Sequence, residues 1–164
     1  MSRPPRIEDA LLSPREVVFT RAVKAERSLV WRLWTEPRHL AQWWGPYGFT
    51  NPECAIDPRP GGGLRILMRS PDGEEYLNAG TVLAIDPPAQ LVFTVALLNP
   101  DGSRRLENRV TADFADRGTE TEVTVRVEVR HATPEARENL AGMSDGWTAG
   151  LHRLSVLAGE GAVS

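Results

Sequence analysis

The chain has 164 residues, 41% of them apolar and 25% charged, which describes one globular domain with a sizeable core. A formal net charge of −3 with no basic block argues against nucleic acid or an anionic membrane surface as partner. The one cysteine, Cys54, excludes an internal disulfide, and no run approaches the ~20 apolar residues of a membrane span.

The opening segment is polar and rich in proline. It lacks the apolar core of a signal peptide, which points to the cytoplasm. Residues 1–15 read as a flexible arm and 16–160 as a single folded domain. Glu16 to Ala22 is rich in β-branched and aromatic residues and predicts the first strand. From Ala25 to Thr35 the spacing turns helical, with Val30, Leu33 and Trp34 on one face, and Glu36-Pro37 ends the run. A second short helix is expected over Arg38 to Trp44, closed by Gly45-Pro46.

Strands dominate the middle of the chain. They are expected at Glu53–Asp57, Leu64–Ser70, Tyr76–Asp86, Gln90–Leu98, Asn108–Phe114 and Thr119–Arg130. The connecting segments are turn sequences: Pro71-Asp72-Gly73, Pro87-Pro88, Asn99-Pro100-Asp101-Gly102 and Asp116-Arg117-Gly118. Short turns imply an antiparallel meander. In the last strand Val123, Val125, Val127 and Val129 alternate with polar residues, the pattern of a half-buried strand. Gly61-Gly62-Gly63 lacks the Lys-Ser/Thr of a phosphate loop and precedes a strand, so it reads as a bulge or tight turn.

A long helix is expected from Pro134 to about Ala158, with Thr133 as N-cap and Pro134 at the first helical position. Leu140, Met143, Trp147, Leu151, Leu154 and Ala158 form its apolar stripe, and Arg153 falls on the polar side. Gly142, Gly146 and Gly150 are spaced by four. Either sheet or ligand approaches the helix closely there, or the helix breaks near Gly142 and restarts with Ser144 as N-cap. A curved antiparallel sheet covered by this helix is the expected α+β fold, with a space left between the sheet, the long helix and the two short helices.

Several segments together resemble a known family. They are Ala25-Glu26-Arg27-Ser28-Leu29-Val30-Trp31-Arg32-Leu33-Trp34-Thr35-Glu36-Pro37, His39-Leu40-Ala41-Gln42-Trp43-Trp44-Gly45-Pro46, Asp57-Pro58-Arg59-Pro60-Gly61-Gly62, Gly80 to Pro88, and Gly146-Trp147. The chain resembles the START-like (SRPBCC) superfamily, and within it the homologues of the activator of the ninety-kilodalton heat-shock protein ATPase. The resemblance spans Glu16 to Ala158. It implies a helix-grip fold, in which a curved sheet grips a C-terminal helix and encloses a hydrophobic cavity.

Three functions compete. The first is a binding protein for a hydrophobic small molecule, lipid-like or aromatic. The second is a protein-interaction module that acts on a chaperone, as the resemblance implies. The eukaryotic activators carry a separate N-terminal domain for that purpose, whereas this chain has a short arm before its first strand. The third is a cyclase- or hydrolase-type enzyme working inside the cavity. A homodimer is compatible with each.

For the binding reading, the expected contact residues are Trp43, Trp44, Met68, Trp147, Leu151 and Leu154. Trp43 and Trp44 either cover the cavity mouth or wedge the short helices onto the sheet. Trp147 either lines the cavity or fills it. No catalytic set, metal site or cofactor is expected, because His39, His131 and His152 lack ligand-spaced or nucleophilic partners. His39 is expected in solvent, and His152 is a candidate to touch the cavity. Glu107 and Arg109 are expected on the wet face of their strand, or as polar groups in the cavity if that face turns inward.

Overall fold

The computed structural model describes residues 15–159. The predicted arm lies outside this range except for Arg15, where the first strand starts. The strands are β1 (Arg15–Val23), β2 (Thr50–Ile56), β3 (Gly63–Arg69), β4 (Glu75–Asp86), β5 (Gln90–Leu98), β6 (Arg104–Arg117) and β7 (Glu120–Ala132). Helices α1 (Arg27–Thr35) and α2 (Pro37–Trp43) sit between β1 and β2. A 3₁₀ turn (Pro134–Ala136), α3 (Arg137–Ala141) and α4 (Met143–Gly159) follow β7.

All seven strands form one antiparallel sheet in the order β1-β7-β6-β5-β4-β3-β2. Each strand from β2 to β6 pairs with the next, and β1 returns to close the far edge against β7, with Phe19 opposite Val125. The alternation seen in the sequence decides which face is inside. Val110, Ala112 and Phe114 of β6 and Val123, Val125 and Val127 of β7 are buried against the helices, while Arg109, Thr111, Arg126 and Glu128 face outward.

Strand β6 is longer than the apolar run Asn108–Phe114 predicts. Strand β5 pairs with Arg104, both neighbours pair with Leu106 and Glu107, and β7 pairs with Ala115–Arg117, so backbone hydrogen bonds hold these ends in the ladder. Likewise β2 starts at Thr50, ahead of the expected Glu53, because Thr50 pairs with Arg69. The triple glycine is a turn. A Cβ on Gly62 would collide with the Asp57 carbonyl, so the close approach requires glycine.

The expected single helix over Pro134–Ala158 is divided. A 3₁₀ turn with Pro134 in its first turn leads into α3, which stops at Gly142, and α4 restarts at Met143 rather than after Ser144. Gly142 still accepts a bond from the Gly146 amide, so helical hydrogen bonding runs across the junction. Thr133 does not cap with its side chain. Its hydroxyl donates to the Arg105 carbonyl at 3.2 Å and ties the turn to β6. The apolar stripe behaves as read: Leu140, Met143, Leu151, Leu154 and Ala158 are buried, and α4 packs on β1 and α2.

The expectation for His39 is corrected. It is 2% exposed, because it lies four residues before Trp43 and shares that residue's buried face of α2. Its Nε2 lies 3.3 Å from Glu36 Oε1 and 3.3 Å from Arg38 Nε. Burial, reinforced by the Arg38 charge, holds its pKa below the ordinary value.

Candidate functional site

Between the sheet and the helices lies a cavity of about 300 Å³. Its floor is the inner face of the sheet's β3–β6 portion: Met68 of β3, Tyr76 and Asn78 of β4, Val95 and Leu97 of β5, and Leu106 and Asn108 of β6. Its roof comes from two helical segments. Trp43 and Trp44 end α2, and Gly45, Pro46 and Phe49 continue it as a loop. Glu138, Asn139, Gly142, Met143, Gly146, Trp147 and Gly150 come from α3 and α4.

Four tryptophans meet at the inner end. Trp34 and Trp43 rings lie 4.6 Å apart, Trp34 and Trp147 6.2 Å, and Trp44 and Trp147 5.3 Å in an edge-on arrangement. Trp44 also packs on Phe93 and Trp147 on Phe19, so the cluster joins α1, α2, α4 and the sheet. Trp43 is 1% exposed, and its Nε1 donates to the Leu33 carbonyl at 2.8 Å. It is first a wedge between the two short helices, with one edge on the cavity. Trp44 and Trp147 present more of the wall.

The glycine stripe explains part of the space. Gly142, Gly146 and Gly150 all line the cavity. Gly150 also lets α4 approach α2: a Cβ there would sit 3.4 Å from the Trp43 carbonyl. The stripe thus departs from both sequence readings in part: the close approach at Gly150 is to the end of α2 rather than to sheet or ligand, and the break at Gly142 is followed by a restart at Met143 rather than after Ser144 as N-cap.

Arg153 fixes the roof. Its Nη1 donates to the carbonyls of Trp44, Gly45 and Pro46 at 3.2–3.3 Å, and its Nη2 to Gln42 O at 2.9 Å. These carbonyls end α2, where a cation complements the helix dipole. Partial burial lowers the pKa of Arg153 from its ordinary value. Asn51 adds bonds to Ala41 O at 2.8 Å and Trp44 O at 2.9 Å.

Of the six residues expected to touch a ligand, Trp43, Trp44, Met68 and Trp147 come together on the cavity wall. Leu151 and Leu154 are placed in the packed core and are absent from that wall. His152 is exposed and meets Tyr47 at 2.7 Å outside the cavity. Glu107 and Arg109 face outward, with Arg109 3.9 Å from Glu128.

Sequence reasoning missed the polar groups of the wall, Asn78, Asn108 and Asn139. Asn108 carried a usable signal, since it has the same parity as the inward Val110, Ala112 and Phe114. The ionisable side chains on the wall, among the described residues, are Tyr76 and Glu138. Glu138 is exposed, and the Tyr76 hydroxyl, whose pKa is raised by its bond to Glu74, donates to that carboxylate at 2.7 Å. Cys54 lies on β2 away from the wall, and burial pushes its thiol up to about 11. Among the described residues no group of three His, Cys, Asp or Glu side chains could hold a metal ion, and no helix is long and apolar enough to cross a membrane.

The family model described as activator of Hsp90 ATPase homolog 1-like protein matches residues 24–159. A solved structure from Nitrosomonas europaea is 25% identical with a TM-score of 0.75, covering 95% of this chain and 99% of that one. One from Rhodobacter sphaeroides is 26% identical with a TM-score of 0.70, covering 94% and 95%. One from Arthrobacter aurescens is 20% identical with a TM-score of 0.78, covering 88% and 86%. The likeness takes in the curved sheet and its gripped C-terminal helix, the helix-grip arrangement expected from the sequence. No curated protein matches the chain.

Proposed function

The chain belongs to the activator of Hsp90 ATPase homolog 1-like family, and we propose that it is a binding protein for a hydrophobic small molecule, lipid-like or aromatic, held in the cavity. The single observation that carries this reading is the cavity itself. About 300 Å³ lies against Trp44, Trp147, Met143, Met68, Val95 and Leu106, the scale and chemistry of a small-molecule site. Gly146 and Gly150 of α4, which line it, add support, since a glycine costs about 1 kcal/mol against alanine in a helix interior. In this reading residues 16–160 act as one binding unit in the cytoplasm.

A thermal-shift titration with hydrophobic small molecules tests it. A ligand at a hundredfold excess over its Kd adds about 2.7 kcal/mol, which for a chain of this size raises the Tm by about 5–10 °C. Gly146→Leu places a side chain in the cavity, and the variant should fold and lose the shift. A panel that moves neither protein, or moves both equally, overturns the reading.

The family description supports a second reading, a protein-interaction module that stimulates a chaperone ATPase. It predicts capture of the chaperone by the purified chain and equal capture by Gly146→Leu. The cyclase- or hydrolase-type reading needs an ionisable group inside the cavity. It has less support, because of the two ionisable side chains on the wall Glu138 is exposed and the Tyr76 hydroxyl is engaged by Glu74.

A further inference from the structure

Two of the three carboxamides on the cavity wall, Asn108 and Asn78, stand on the sheet among mostly apolar neighbours. Asn108 stands on the inward face of β6, between Leu106 and Val110, and is 7% exposed. Its Nδ2 finds only the Met143 thioether at 3.6 Å, and its buried Oδ1 has no hydrogen-bond partner. Sulfur is a weak acceptor, so the amide has most of its bonding capacity unmet. Asn78 repeats the arrangement on β4, its Nδ2 donating to Met68 Sδ at 2.8 Å. Two strand spacings separate β4 from β6, or roughly 10 Å.

A buried polar group without a partner is rare in folded proteins and calls for an explanation. The Asn108 amide swivels readily about its soft terminal torsion, so either its oxygen or its nitrogen reaches a cavity occupant. Its neighbours on adjacent strands, Val95 and Val129, offer no side-chain hydrogen bond. Among the described residues the charged side chain on the wall is Glu138, which is exposed; the groups against Asn108 itself, Val95, Val129 and Met143, are uncharged, so an ionised head stripped of water beside Asn108 would go uncompensated. The volume sets the body size: about 300 Å³ accommodates on the order of ten water-sized groups at ~30 Å³ each.

We propose that the ligand is a neutral amphiphile of about ten to a dozen heavy atoms whose hydroxyl or carboxamide head exchanges hydrogen bonds with Asn108 while its apolar body lies against Trp44 and Trp147. This inference rests on the small-molecule reading above and adds the head-group class and the residue that selects it.

Naphthalene, 2-naphthol and 2-naphthoate share one body and differ in the head, and each is titrated calorimetrically into the full chain at neutral pH. Wild type should bind 2-naphthol about tenfold tighter than naphthalene, and 2-naphthoate more weakly than 2-naphthol. Asn108→Leu should bring 2-naphthol to within about twofold of naphthalene while naphthalene itself binds at least as well. Equal binding of naphthalene and 2-naphthol to wild type overturns the head-group inference and leaves the binding reading standing. So does an Asn108→Leu variant that keeps the preference. Absence of binding by all three overturns both. Should Asn108→Leu fail to fold, the side-chain amide resonances of Asn108 in wild type decide. They should move with 2-naphthol and not with naphthalene, and resonances that stay still with 2-naphthol contradict the inference.

Discussion

Arg153 shows how one side chain can hold a cavity roof without lining the cavity. It donates to four carbonyls of the Gln42–Pro46 segment, which carries Trp43, Trp44 and the loop of the cavity roof. Arg153→Met keeps the apolar stem and deletes these bonds. It should lower the unfolding free energy by about 1.5–3 kcal/mol in urea denaturation; a loss under about 0.5 kcal/mol would show the carbonyls are as well served by water.

His39 makes a different residue-scale prediction. Its pKa is lowered by burial and by Arg38, against the opposing pull of Glu36, from the ordinary value of 6.5. The unfolded chain therefore takes up this proton before the folded chain does as pH falls. The stability contributed by neutral His39 is complete above pH 6.5 and declines as the pH drops below it. His39→Gln should flatten this part of the stability profile between about pH 7 and pH 5, measured as the difference from wild type. Parallel profiles would refute the assignment. The burial of His39 was legible in its four-residue step to Trp43, and the inward face of Asn108 in its parity with Val110. The role of Arg153 was not, because its partners lie more than a hundred residues away in sequence.

At the scale of elements, the last helical segment combines two demands. Its apolar stripe must hold the sheet, and its glycine stripe must leave space. A Cβ at Gly146 would meet Pro46 Cγ at 3.6 Å, an ordinary contact. Gly146→Ala should therefore stabilise the protein by about 0.5–1 kcal/mol through the lost backbone entropy of glycine, while weakening ligand affinity by narrowing the cavity. Stabilisation with undiminished affinity would place the ligand elsewhere; no stabilisation would mean that the helix resists a side chain there. The glycine spacing was one trace of the cavity in the sequence, beside the space left by the element order and the residues Trp43, Trp44, Met68 and Trp147. The strands were more legible, since alternation and turn residues fix their faces and ends locally. The extra length of β6 was not, because its ends are held by partner strands, β5 at Arg104 and β7 at Ala115–Arg117. The break at Gly142 was visible only as one of two alternatives, since the sequence alone does not say whether a glycine bends a helix or merely thins it.

At the scale of the molecule, the sheet divides its inner face between two tasks. The β1–β7 side and the inner part of β6 are packed by α1, α4 and the tryptophan cluster into a core that includes Val110, Phe114, Val125 and Leu154. The β3–β6 side, roofed by the end of α2, α3 and the start of α4, holds the cavity. Side chains facing it lack the close-packed neighbours of the rest of the core, and an apolar ligand would supply those dispersion contacts. The layer order and the helix grip followed from the element sequence. The size of the cavity did not, because it depends on a difference between summed side-chain volumes and the space enclosed. The central claim is that this space takes a small molecule. Native mass spectrometry of gently purified protein, repeated after denaturation, tests it most directly. The account predicts a non-covalent adduct of one small molecule that disappears on denaturation and is reduced or absent in Gly146→Leu. A bare mass, with a melting temperature unmoved by naphthalene or 2-naphthol, would contradict it.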